Sequence, residues 1–166
     1  MIPDFSTSDQ LMARLDNAVT ALDDEYYKTR FVGYVAVSAV TAFEVNIRDK
    51  VIDFSSRKHN VFGNFTSAVF EKTNAKVKLE MLRNDFLSRF GERYLKRFNK
   101  ALDTIEKDQM VAGSGSVKNA YANIINWRHV FVHQGELPQY ASYEEARSAY
   151  EHGKLVIACF CDALHR

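Results

Sequence analysis

A chain of 166 residues with a net charge of +1, 46% hydrophobic and 26% charged residues, has the make-up of an ordinary globular domain, and its charge by itself points to no class of partner. At this length it reads as one domain, 1–166, able to bury roughly 70% of its unfolded surface. Two prolines and seven glycines are few, which favours long uninterrupted helices over a strand-and-turn architecture.

Cys159 and Cys161 lie two apart on a predicted helix and point in different directions. They fit neither a disulfide framework nor a zinc-binding pair, and are expected to be buried free thiols in a reducing cytoplasm. The start Met1-Ile2-Pro3-Asp4 carries no basic region followed by an apolar run, so no signal peptide is expected. The least polar segment, Phe31 to Phe43, has no charge but is shorter than the about 20 residues a bilayer requires, and no membrane partner is expected.

In chain order, Thr7 and Gln10 have capping-box spacing and predict a helix with apolar positions Leu11, Leu15, Ala18, Val19 and Leu22. A break is expected near Tyr26 to Arg30. Phe31 to Phe54 is valine-rich, but its length and lack of turn residues predict a central helix rather than a strand. Glu44 is the one charge between Arg30 and Arg48, so it must lie at the edge of the buried surface or be paired.

Ser55 to Asn64 reads as a connection, with short helices expected from Thr66 to Asn74 and Lys78 to Phe90, and a third from Glu92 to Met110 beyond Gly91. Lys76 to Lys100 holds eight basic residues against three acids. Arg89, Arg93 and Arg97 recur every four residues, as they would along one side of a helix, with Phe86, Phe90, Tyr94 and Phe98 on the adjacent side. The aromatic stripe is expected in the core. The arginine stripe is either a solvated face or a phosphate-contacting surface.

Ala112-Gly113-Ser114-Gly115-Ser116 is the clearest loop. A helix from Val117 to His133 should follow, stopped by Gly135 and Pro138, and a Ser142/Glu145 capping box should open a last helix reaching Leu164. On a wheel at about 100° per residue, Val117, Ala120, Tyr121, Ile124, Phe131 and Val132 share one face. Asn119, Ala122, Asn123, Asn126, His129 and His133 share the other.

Arg128 falls on the apolar face and needs a partner there, Glu44 being the candidate. An imidazole exchanges protons near neutral pH and a guanidinium grips phosphate with parallel hydrogen bonds, so Arg128, His129 and His133 are the residues suited to chemistry. Arg128 and His133 stand about 140° apart on an ideal helix. They converge only if the helix loosens or a second copy faces it, and the second copy is the expectation.

Arg128-His129-x-x-x-His133, ending a late helix of an all-helical chain, resembles the HEPN superfamily signature: arginine, a polar residue, three variable residues, histidine. The resemblance implies an all-α helical bundle of HEPN type, with extra short helices between the early helix pair and the motif helix, that dimerises into a composite cleft. It further implies metal-independent endoribonuclease activity, the ribose 2′-hydroxyl attacking the adjacent phosphate to leave 2′,3′-cyclic phosphate and 5′-hydroxyl ends, in a toxin or anti-phage effector with an antitoxin or other regulatory partner. Arg128 would hold the phosphate, His133 move protons, and His129 orient these groups, with Asn126 and Glu44 in support. Arg89, Arg93, Lys96, Arg97 and Lys100 would guide the RNA.

No cofactor is expected. Many bacterial members carry a tyrosine two positions after the motif histidine that a nucleotidyltransferase modifies. Gly135 stands there, which puts that regulation in doubt. The alternative reading is a catalytically silent HEPN-like module that binds RNA or a protein. A metal site on His129 and His133 is the weakest reading, since no neighbouring acid or cysteine completes a ligand set. His59, His152 and His165 are expected at the surface.

Overall fold

The computed structural model describes residues 2–72, 77–136 and 141–165, and every regular element among them is helical. Asn74, Lys76 and Pro138, which entered the expectations above, lie outside the described residues.

α1 (Ser6–Thr20) starts one residue before Thr7, and no side chain of its N-cap, Phe5, closes it. The expected Thr7/Gln10 box is therefore absent. Asp4 instead accepts from the Ser6 N–H at 2.9 Å. Met12 and Val19 are the buried apolar residues of α1, while Leu11 is 41% exposed. The break falls at residues 21–24, ahead of the Tyr26 to Arg30 stretch where it was expected; most of that stretch is the short α2 (Glu25–Thr29), opened by the Asp24 side chain.

α3 (Phe31–Ser56) is the central element, burying Val32, Val35, Ala36, Val40, Phe43, Ile47 and Val51 against α1, α4, α8 and α9. Its valines remain helical because the length and the burial of both sides outweigh their strand preference. It also runs on well beyond Phe43. By length and composition Glu25–Ser56 is enough to cross a membrane, and half of its apolar window is buried in the bundle.

The stretch read as a connection is largely helix: α4 (Asn60–Lys72) begins after a short turn. Gly63 is not a loop signal but a contact residue, since a Cβ there would lie 2.2 Å from the Ser56 Oγ. α5 (Leu79–Met81), a π-helical segment (Leu82–Leu87) and α6 (Ser88–Phe90) follow. Gly91, at φ 131, turns the chain into α7 (Glu92–Val111). α7 matches the helix expected from Glu92 to Met110 to within one residue. The aromatic stripe is core, with Tyr94 and Phe98 buried and Phe98 meeting Phe160 edge-on at 6.5 Å.

α8 (Val117–His129) leads into a second π-helical segment (Val130–Gln134), and α9 (Tyr143–Ala163) closes the bundle behind the predicted Ser142/Glu145 capping box. α9 packs on α3, α7 and α8. Polar ties hold it to α1: Asp16 accepts from Tyr143 at 2.6 Å and Arg147 at 2.8 Å, and Asp9 accepts from Tyr150 at 2.7 Å and Lys154 at 2.8 Å. Cys159 and Cys161 are buried free thiols, and burial pushes both up to about 11. His152, expected at the surface, is 7% exposed, because α9 is enclosed on most of its circumference.

Candidate functional site: a π-helical turn carrying arginine and histidine

The start of α8 is fixed from outside its own sequence. The Ser116 side chain accepts from the Asn119 N–H at 3.1 Å and donates to Glu106 of α7 at 2.6 Å, while Glu106 also accepts from the Lys118 N–H at 3.0 Å. Burial pushes the Glu106 carboxyl up, but the hydrogen bonds from Ser116 and Lys118 outweigh it and hold the group below its ordinary range. A carboxylate at a helix N-terminus meets unpaired N–H groups and the positive end of the dipole, so α8 is anchored where the Gly-Ser loop delivers it.

At the other end the helix loosens. Past His129 the backbone widens to π-helical pairing, which inserts an extra residue into the turn and shifts the phase of everything after it. Gly135, left-handed at φ 69, ends the segment. The wheel therefore holds up to His129 and fails beyond it. Val117, Tyr121 and Ile124 are buried, with Ile125 beside them, and Asn119, Asn123, Asn126 and His129 are exposed as read, but beyond His129 the expected apolar Val132 is 47% exposed.

The same shift brings the two motif residues together within one chain. The Arg128 Nη1 lies 3.4 Å from the His133 Nε2. Guanidinium has only donors, so the histidine nitrogen facing it must be unprotonated for this contact to be favourable. Convergence thus comes from the distorted helix end, and the expectation that it required a second copy is corrected. The His129 and His133 rings lie with centroids 4.9 Å apart, tilted at 46° to each other, and both side chains are exposed.

Arg128 is half-buried at the wall of a cleft of about 550 Å³ that it shares with Glu44, Lys78, Tyr121, Asn126 and His129. Glu44 and Arg128 form no direct ion pair among the described residues. They attract across the cleft, with burial raising the Glu44 carboxyl above its ordinary range and the Arg128 charge partly opposing that. Tyr121, which sequence reasoning left in the core, forms the floor: its hydroxyl donates to the Val77 carbonyl at 2.6 Å, and burial, with the Glu44 charge, pushes its ionisation far upward. No group of three or more His, Cys, Asp or Glu side chains arranged to hold a metal occurs among the described residues.

The RiboL-PSP-HEPN family model matches residues 4–166. The chain belongs to the RiboL-PSP-HEPN family. No curated protein and no solved structure matches it. The architecture is accordingly that of an all-α HEPN-type bundle, and membership is compatible with ribonuclease activity.

In this HEPN bundle the basic stretch does not form one stripe. Gly91 separates Arg89, on α6, from Arg93 and Arg97, on α7. Arg89 lies 3.7 Å from Asp85 and Lys96 3.8 Å from Glu92, both on exposed surface, and Lys100 is exposed. None of these five lines the Arg128 cleft; from the basic window the described residue that does is Lys78. Its signal in the sequence was its membership of that window, and nothing in the local spacing distinguished it from its neighbours.

Proposed function

We propose that this HEPN protein is a metal-independent endoribonuclease whose site is built on Arg128 and His133. The observation that carries the reading is their 3.4 Å approach, with Arg128 on the wall of the Glu44-lined cleft and His133 outside its lining. An unprotonated His133 nitrogen is placed to take the proton of a ribose 2′-hydroxyl. The hydroxyl oxygen then attacks the adjacent phosphorus, the P–O5′ bond breaks, and the departing oxygen takes a proton, leaving a 2′,3′-cyclic phosphate and a 5′-hydroxyl. Arg128 holds the non-bridging phosphate oxygens and stabilises the charge that builds on them. Glu44 is a positioning residue that keeps Arg128 turned into the cleft. Asn126 and His129 line the approach, and Lys78 adds a phosphate contact.

In-line displacement puts the attacking and leaving oxygens on opposite sides of phosphorus, so one exposed imidazole serves one of them. A second motif from another copy supplies the other, which favours a homodimer with a composite site. The surface beside the motif suits such pairing: Tyr34 is 57% and Val132 47% exposed, and Tyr34 meets Phe131 at 5.6 Å. In the cell the activity fits a toxin or phage-defence effector held in check by a partner.

Purified protein incubated with RNA in EDTA tests this. Cleavage is expected from the wild type and lost in Arg128→Ala and in His133→Ala with unchanged melting. Cleavage that needs added metal, or that survives both substitutions, overturns the mechanism. RNA binding without cleavage by the wild type identifies a silent module.

A further inference from the structure

The C-terminal end of α3, the first turns of α7 and the last described residues enclose a second cleft, of about 330 Å³. It shares no residue with the motif's cleft. Arg57, Lys58, Arg93, Arg97 and His165 line it, around the Tyr94 ring, and no carboxylate side chain does among the described residues. At 1.5 Å per residue, Arg57 lies roughly 20 Å along α3 from Glu44.

What distinguishes this cluster is how its cations are held. Lys96, Lys118, Arg147 and Lys154 all sit within 4.0 Å of carboxylates. In the second cleft, among the described residues, Arg57 alone is neutralised in that way, by Asp53 at 3.0 Å. The Arg93 guanidinium lies 4.5 Å over the Tyr94 ring and donates to the Tyr94 hydroxyl. Arg97 donates to the His165 carbonyl at 3.3 Å, and the Lys58 ammonium sits 5.3 Å from the Phe54 ring centre.

Neutral partners fix the geometry of these groups and leave Lys58, Arg93 and Arg97 without a carboxylate partner among the described residues. The Tyr94 hydroxyl registers the field: burial pushes its pKa up, yet the hydrogen bond and charge of Arg93, with the charge of Lys58, bring it below the ordinary tyrosine value. Three like charges facing one cavity repel one another, and an anion bound between them offsets that repulsion.

We propose that this cleft is a phosphate-binding site, in which the forks of Arg93 and Arg97 grip phosphate oxygens and Lys58 adds a point charge. The phosphate belongs either to the backbone of an RNA strand that also reaches the motif or to a free nucleotide. The chemistry of recognition is the same for both. The site stands on its own geometry and does not depend on cleavage at Arg128 and His133.

Binding is measured on full-length His133→Ala protein, with adenosine 5′-monophosphate by calorimetry and with a fluorescein-labelled single-stranded RNA by anisotropy. Arg93→Ala/Arg97→Ala should weaken binding at least about tenfold, because the charge-assisted hydrogen bonds to phosphate are removed. With RNA, the plot of log K against log salt should also become shallower by about 0.7 for each phosphate no longer neutralised. Lys58→Ala, on an exposed side chain, should move the same way by less and leave melting unchanged. The Arg93→Lys/Arg97→Lys variant should retain more affinity than the alanine pair, which separates missing charge from a damaged fold. A response with the nucleotide assigns the site to a free nucleotide, and a response with RNA alone assigns it to the strand. If neither probe binds, or if all three variants bind both probes as the parent does, the proposal is overturned. Cleavage by protein with an otherwise wild-type motif is scored separately, so failure here leaves the ribonuclease reading standing and the converse also holds.

Discussion

Gly33→Ala is the substitution in which fold and site are most tightly coupled. A Cβ at Gly33 of α3 would lie 2.3 Å from the Phe131 Cδ2 and 2.5 Å from its Cγ and Cε2. Carbon atoms rest about 3.5 Å or more apart, so the ring must retreat by roughly 1 Å. Phe131 belongs to the π-helical turn that carries His133 two residues later, and the ring is the turn's contact with α3.

Overpacking of this kind costs about 1–3 kcal/mol. Against that, alanine gains up to about 1 kcal/mol over glycine in a helix interior. The net loss is about 0–3 kcal/mol, a fall of up to roughly ten degrees in Tm for a chain of this size. Activity should suffer more, because a misplacement of about 1 Å at a reacting group costs on the order of a hundredfold. The assay pairs a melting curve with an RNA cleavage rate measured well below Tm. Gly63→Ala serves as the control, since its Cβ meets Ser56 where α4 packs on α3, and neither residue lines the motif turn or its cleft. It should lower Tm and leave the rate near wild type. If Gly33→Ala melts lower yet cleaves as fast as Gly63→Ala, the Phe131 contact does not set the turn.

Three further outcomes are expected. Glu44 has a raised carboxyl pKa in the fold, so the folded state binds its proton more tightly than the unfolded chain, and stability falls as pH rises through that window. Glu44→Gln should therefore melt higher at neutral pH and match wild type below the ordinary carboxylate range, and it should cleave more slowly at neutral pH, where Arg128 loses its countercharge, with that gap closing in acid. Tyr121→Phe strands the buried Val77 carbonyl and should cost about 1–3 kcal/mol in chemical denaturation. Asp16 is opposite in sign to Glu44: burial pushes it up, but hydrogen bonds from Arg147 and Tyr143 prevail and hold it below its ordinary value. Its stabilisation is present above the ordinary carboxylate pKa and lost as pH falls through the depressed one. Asp16→Asn should cost about 1 kcal/mol at neutral pH, a modest figure because the group is partly solvent-screened, and the gap should close in acid.

The parts of the fold legible in the sequence were those written in local periodicity. α3 was readable because no turn residue interrupts it, and α9 because Ser142 and Glu145 sit three apart ahead of an apolar pattern. The polar face of α8 was readable up to His129 for the same reason. The failures share a cause, which is that the deciding partner lies elsewhere in the chain or the change leaves no mark on composition. A π-helical turn has no residue signature, so its phase shift moved Val132 into solvent and His133 towards Arg128 without warning. Glu106 caps α8 from ten residues upstream, outside any capping-box spacing. Gly63 looked like a loop residue and is a contact residue, whereas Gly91 lay in an even stripe of arginines and broke it. Glu44 stood out as a lone acid in an apolar helix, but the direct pair expected with Arg128 does not form among the described residues, and only its charge reaches across the cleft.

A 2′-hydroxyl attack managed by Arg128 and His133 is the central claim, and substrate chemistry tests it most directly. A short RNA with one preferred cleavage position is compared with the same strand carrying a single 2′-deoxyribose there, both in EDTA. Cleavage of the all-ribose strand into 2′,3′-cyclic phosphate and 5′-hydroxyl ends is predicted, with no cleavage at the deoxy position and none of either strand by His133→Ala. Cleavage at the deoxy position, or 5′-phosphate ends from the ribose strand, would contradict it.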